Sequence, residues 1–155
     1  MTAKHNLSFY RVAEITLHYQ SRVKPSQRPK VAKSDDAYTI FLHHWNPNQI
    51  ELQEEFKVML LNRAHKVLGI VNISLGGLAG TVADPKLIFA AALKAGASAI
   101  IVAHSHPSGN LTPSRADIEL TKKLKAAGEL LDLPIQDHLI VTAEGYYSFA
   151  DYGVL

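Results

Sequence analysis

The spacing of apolar and polar positions divides the chain into strand-like and helix-like stretches. Two β-type runs, 54–61 and 65–73, are joined by Asn62-Arg63-Ala64, a length that fits a hairpin with a three-residue loop. In the first run a period of two places Glu54, Phe56, Val58 and Leu60 on one side and Glu55, Lys57, Met59 and Leu61 on the other. Glu54 thus stands at the edge of an apolar surface. Residues 98–103, SAIIVA, are a short apolar run suited to a buried strand, and 135–149 read as a hairpin. Its turn is expected at Ala143-Glu144-Gly145, with the glycine taking a left-handed conformation. Residues 8–20 read as a further strand, with Val12, Ile15 and Leu17 as core contacts.

Helical signals fall between these runs. Ser34 reads as the N-cap of a short helix reaching about His43. Asp84-Pro85 is a strong start signal, and the Ala-rich segment that follows runs to Gly96 as its left-handed terminator. A longer helix is predicted over about 114–131, with Leu120, Leu124, Ala127 and Leu131 on its core face. The glycine-rich 75–80 matches no nucleotide-binding pattern and reads as a turn. The order β-α-ββ-α-β-α-ββ defines an α/β class.

The 155 residues, 47% hydrophobic and 19% charged, suit one packed domain of ordinary size. There is no cysteine, which removes disulfides, thiolate metal sites and cysteine nucleophiles; a transition metal must be held by His and carboxylate. A net charge of +2 does not by itself argue for nucleic acid. Residues 21–33 differ from the rest: Arg22, Lys24, Arg28, Lys30 and Lys33 fall among two prolines with no acid. Such a segment buries little apolar surface and is expected to be an exposed arm. A solvated linker is the plainer reading, and contact with a phosphate backbone the functional one. The expected organisation is therefore an N-terminal strand and basic arm over 1–33, then the main domain over 34–155. No run approaches the ~20 apolar residues that span a bilayer, and MTAKHNLSFYRV lacks secretory features, so a cytoplasmic protein is expected.

Candidate chemistry concentrates in AHSHPSGNLTPSRAD. If 99–106 is a strand, His104 and His106 share a face. Two imidazoles and the nearby Asp117 are ligands a catalytic zinc takes, its fourth position left to water. Burying two imidazoles without partners is costly, and a metal answers both at once. Ser114-x-x-Asp117 has a second reading as a capping box, which only satisfies helix-end donors. Thr112-Pro113 already offers a cap and a first-turn proline, which would free Ser114 and Asp117 to face the histidines. His43 and His44 are adjacent on a helix end, share no face, and are assigned no metal.

The full spacing H-x-H-x7-S-x2-D resembles the JAMM motif of the JAB/MPN-type metalloproteases. EEFKVMLLNRAHKVLG, DPKLIFAAALKAGASAIIVAHSHPSGN, TPSRADIELTKKLKAAGELL and DHLIV…GYYSFAD look like the RadC branch of that superfamily, and the likeness covers essentially 34–155. It implies a mixed β-sheet flanked by helices, related to the cytidine deaminase fold. It implies Zn2+ on His104, His106 and Asp117, a glutamate acting as general acid/base, and a serine steadying the oxyanion. Glu54 matches that glutamate best, with Glu55 the fallback, and Ser114 matches the serine. Ser105 stands where RadC-type sequences usually have Asn, and the helix-hairpin-helix segment of longer relatives is not in this chain. Asp137-His138 lies near a family Asp-His pair, for which orienting a ligand or closing the pocket is one reading and hydrogen bonding within the sheet the other, at least as well supported; the pair is left out of the site.

The expected function is zinc-assisted hydrolysis of an amide or isopeptide bond in a peptide or protein substrate. Two alternatives belong to other classes: a DNA-associated repair or accessory protein using the 21–33 arm, and a zinc hydrolase acting on nucleic acid. No membrane partner is expected.

Overall fold

The computed structural model describes residues 12–16, 18–76 and 83–155. Its centre is a mixed five-stranded sheet of order β2-β1-β3-β4-β5, formed by β1 (Glu55–Leu61), β2 (Val67–Leu75), β3 (Ala99–Ser105), β4 (Ile135–Val141) and β5 (Tyr146–Ser148). β3 and β4 are parallel and the other neighbours antiparallel. A parallel pair needs a crossover, and the 16-residue helix α3 (Arg115–Leu130) lies in the one between them. Helices α1 (Ser34–His43) and α2 (Pro85–Lys94) complete an α/β architecture, a mixed sheet flanked by helices as expected.

Alternation along the central strands divides the core in two. Met59, Leu61, Ile101, Ala103, Leu139 and Val141 pack with Phe41 of α1 and Trp45. Phe56, Val58, Leu60, Ile100 and Val102 pack with Ile88 and Phe89 of α2 and Leu124 of α3 on the other face. Each of the larger aliphatic and aromatic side chains among them stabilises the fold by about 1.5–3 kcal/mol relative to exposure. The two faces predicted for β1 are the two faces observed.

The helix signals were largely literal. Asp84 caps α2 by accepting from the Lys86 amide at 2.9 Å, Pro85 opens it, and Gly96 ends it at φ +64°. At α1 the cap is Lys33 and not Ser34: Asp36 Oδ2 accepts from the Ala32 and Lys33 amides, and the Ser34 hydroxyl donates to Asp151. On α3, Leu124 is fully buried and Leu120 and Ala127 pack against the core, whereas Leu131 is 40% exposed just past the helix end.

The expected N-terminal strand is not formed among the described residues of 8–20. Val12 and Ile15 are both 85% exposed, and Leu17 lies outside the described residues. A strand needs a ladder partner, and the start of β2 is met by other residues: Pro29 O accepts from Val67 N, His65 O accepts from Val31 N, and Lys30 bridges Lys66. The arm is therefore exposed at Arg22, Lys24, Lys30 and Lys33 but docked at its end, where Val31 is buried.

Both predicted turns form by different chemistry than expected. Asn62 N donates to Lys66 O, so the β1–β2 loop is 63–65, and His65 takes its left-handed position at φ 58°. At the β4–β5 turn Gly145 is not left-handed. Thr142 shapes that turn, its Oγ1 accepting from the Glu144 and Gly145 amides.

Gly128 is required for packing. A Cβ there would lie 2.4 Å from the carbonyl oxygen of Leu133, the residue whose amide donates to Gly128 O. Gly128→Ala is expected to destabilise the chain by about 1–3 kcal/mol despite alanine's better helix propensity. Urea unfolding against the parent measures this, and unchanged or raised stability would refute it.

Candidate metal centre

β3 brings the first histidine into place. His104 faces the α2/α3 side, paired with Phe56 of β1 and stacked on its ring at 6.2 Å and 6°. His106 lies one residue beyond the strand, its amide donating to Val141 O, and its ring meets His104 with Nε2 to Nε2 at 3.0 Å. Asp117 reaches them from the first turn of α3. Its Oδ1 is 3.2 Å from His104 Nε2 and its Oδ2 3.7 Å from His106 Nε2. One ligand atom from each of the three lies within 4.8 Å of the others, which makes His104, His106 and Asp117 a group that could hold a metal ion.

The two readings of Ser114-x-x-Asp117 prove compatible. The helix starts at Arg115, not after Thr112: Ser114 Oγ accepts from the Asp117 amide at 3.1 Å, and Asp117 Oδ2 accepts from the Ser114 amide at 2.7 Å. A capping box is formed, and the same carboxylate faces both histidines. Ser114 sits at the cap with its oxygen used as an acceptor.

The electrostatics match a cation site. Burial pushes the Asp117 carboxyl up, but His104, His106 and Ser114 outweigh it and hold the group well below the usual carboxylate range. Asp117 raises the His106 pKa against the opposing effect of burial, helped by the Asn110 carbonyl and by the charge of Glu54. His138 is fully buried against this cluster; burial and the neighbouring His104 hold it well below the ordinary histidine value. Its ring stacks on Phe149 at 4.6 Å.

The donor set fits a metal on hydrogen-bond grounds alone. His106 Nδ1 lies 2.6 Å from Asn110 O, and a carbonyl only accepts, so Nδ1 carries hydrogen and a neutral ring presents Nε2 as a bare lone pair. That lone pair points at another imidazole nitrogen and a carboxylate. Such an arrangement could hold a cation, and two imidazole nitrogens with a carboxylate oxygen are donors that a metal ion accepts.

Adjacent glutamates are separated by the sheet. Glu55 is turned to the α1 face, where it pairs with Lys57 at 2.8 Å; Lys57 also donates to Asn72 Oδ1 and lies over the Trp45 ring. Glu54 precedes the strand on the histidine side and acts electrostatically on His106. Its backbone is held on both flanks. Glu54 O accepts from Gly76 N at 2.7 Å, and Ser105 Oγ accepts from Glu55 N at 3.0 Å while donating to Gln53 O at 3.4 Å. Ser105 therefore faces away from the histidines and anchors the chain that carries Glu54.

His43 and His44 stay at the end of α1, where His44 Nδ1 meets Ile40 O. A cavity of about 150 Å³ adjoins His106, between the 107–109 loop and Thr142–Glu144. A larger one, about 530 Å³, lies by Asn62, Arg63 and Asp132 at the far end of β3; it holds none of the ligand group, and the chemistry points to the smaller. Thr121 was not singled out from sequence, although its position four residues after Asp117 puts it on the same helix face.

Fold and site together define a JAB-type domain with a His-His-Asp cluster. Residues 31–154 match the model of the RadC-like JAB domain, and the chain belongs to that family. It is 48% identical over 126 residues to a UPF0758 protein of Flavobacterium johnsoniae, covering 81% of this chain and 53% of the relative. Similar proteins of Porphyromonas gingivalis (48% over 104 residues) and Alkaliphilus metalliredigens (42% over 103) each cover 66% of this chain and 46% and 44% of their own lengths. The chain thus spans about half the length of the curated relatives it matches. Among the described residues no helix is long and apolar enough to cross a membrane.

Ser105→Ala removes both anchoring bonds and leaves the buried Glu55 amide unsatisfied. A loss of about 1–3 kcal/mol is expected in urea unfolding, with metal content unchanged because the hydroxyl faces away from the cluster. Parallel loss of metal would contradict this placement.

Proposed function

We propose that the chain is a zinc-dependent hydrolase that cleaves an amide or isopeptide bond of a peptide or protein. The observation that carries this reading is the convergence of His104, His106 and Asp117 with Glu54 at their edge. Family membership supports it.

His104, His106 and Asp117 would hold the zinc, which supplies Lewis acidity and brings the pKa of a water toward ~7. Glu54 accepts the proton of the attacking water and returns it to the leaving amine. The Ser114 hydroxyl, whose oxygen is fixed by the Asp117 amide, turns its proton toward the developing oxyanion. Glu55 cannot share the base's work, because Lys57 holds it on the other face. Substrate enters along the cavity beside His106.

Metal analysis of untagged protein by mass spectrometry is expected to find about one zinc per chain, with Asp117→Ala losing it. Glu54→Gln should keep the zinc and lower turnover of a peptide-library substrate by roughly 10²–10⁴-fold. Full activity in Glu54→Gln would remove the base assignment; zinc retained in Asp117→Ala would remove the ligand set.

A further inference from the structure

Behind His104 runs a chain of hydrogen bonds that the ligand set does not include. His104 Nδ1 is 2.8 Å from His138 Nε2, His138 Nδ1 is 2.6 Å from Thr121 Oγ1, and Thr121 Oγ1 is 2.6 Å from the carbonyl oxygen of Asp117. Thr121 and His138 are buried, at 2% and 0% exposure, so no solvent competes.

The last link fixes all the others. A carbonyl has no proton to give, so the Thr121 hydroxyl must donate to Asp117 O. Having spent its single proton, Thr121 Oγ1 can only accept from His138, whose Nδ1 therefore carries hydrogen. Wholly buried against the rings of Phe56 and Phe149, His138 is neutral and has a bare Nε2, which accepts from His104 Nδ1–H. His104, protonated at Nδ1, is left with a lone pair on Nε2, the atom 3.0 Å from His106 Nε2 and 3.2 Å from Asp117 Oδ1. The opposite order would set two lone pairs against each other at 2.6 Å.

From this we propose that Thr121, acting through His138, is a positioning residue that selects the tautomer in which His104 can bind metal. It rests on the reading of His104 as a ligand, and adds two residues to what determines metal affinity. The arrangement is built into the fold. The β3–β4 register passes from Ile100↔Ile135 to Ile101↔Asp137, so β4 spends one extra residue, Gln136, and its alternation shifts. That shift lets Ile135 and His138 both face the α2/α3 side, with His138 under Thr121 of the helix. Removing the hydroxyl frees the order to reverse: His138 then does best with Nδ1 bare against a methyl group and Nε2–H donating to His104. His104 would carry its proton on Nε2, where the metal must bind.

The test uses Thr121→Val, Thr121→Ser and the parent chain. Histidine ring ¹⁵N shifts of the metal-free protein report the tautomers, and competition against a chromophoric chelator reports zinc affinity. Expected are Nδ1–H tautomers at His104 and His138 in the parent and in Thr121→Ser, loss of that single tautomer in Thr121→Val, and a 10–100-fold weaker zinc affinity for Thr121→Val alone. Urea unfolding of the metal-free chains separates this from a merely weakened fold, for which Thr121→Val would keep the parent's tautomers. An Nε2–H signal from His104 in the parent, or parent-like affinity in Thr121→Val, overturns the proposal. A parent with the expected tautomers that takes up no zinc would instead count against the hydrolase reading, leaving the proton order standing and ending its role in metal affinity.

Discussion

One carboxylate serves two structural demands at once. Asp117 Oδ2 accepts from the amide of Ser114, the N-cap of α3, and its two oxygens face both imidazoles. A free carboxylate would have to be desolvated and aimed at the histidines at its own cost. Here the capping box has already fixed its rotamer, so helix initiation and site assembly are a single event. The backbone carbonyl of the same residue then takes the proton of Thr121, and the chain of bonds runs through His138 to His104, whose Nε2 faces the same carboxylate. α3, β3 and β4 are tied into a closed ring, within which Thr121 and His138 are both fully partnered. Such a network specifies one arrangement, because a half-satisfied version in the same buried space costs more than none.

The sheet deals with surplus charge by sidedness. Glu55 and Lys57 neutralise each other within the α1-side layer, while Glu54, one residue earlier, is left to the histidine side with its backbone held by Gly76 and Ser105. Alternation alone separates two neighbouring acids into the structural half of an ion pair and a group whose charge acts on His106.

Much of this was legible in the chain, for reasons that differ by element. The faces of β1 followed from period two, and the ends of α2 from Asp84, Pro85 and Gly96, because strictly local rules govern both. The H-x-H pair with Asp117 stood out because residues near in sequence converge in space. What escaped reading depended on partners far along the chain. The 8–20 segment looks like a strand by composition, yet β2 takes its bridge from Lys30. Thr112-Pro113 looked like a helix start, but Ser114 has the partner in Asp117 that Thr112 lacks. Thr121 carries no local signal of importance until His138 is known to lie beside it, and that depends on an irregularity in β4 that no periodicity announces.

That irregularity has a consequence for how the domain tolerates change. With Gln136 present, two stretches of β4 that would face opposite ways in a regular strand look the same way. Deleting one residue there could leave the hydrophobic content and the His104, His106 and Asp117 side chains untouched, and still rotate His138 out of the ring. The centre is thus encoded partly as a count, a message that substitution alone cannot rewrite. Along β4 a frame of single residues, as much as their chemistry, sets what evolution is free to alter.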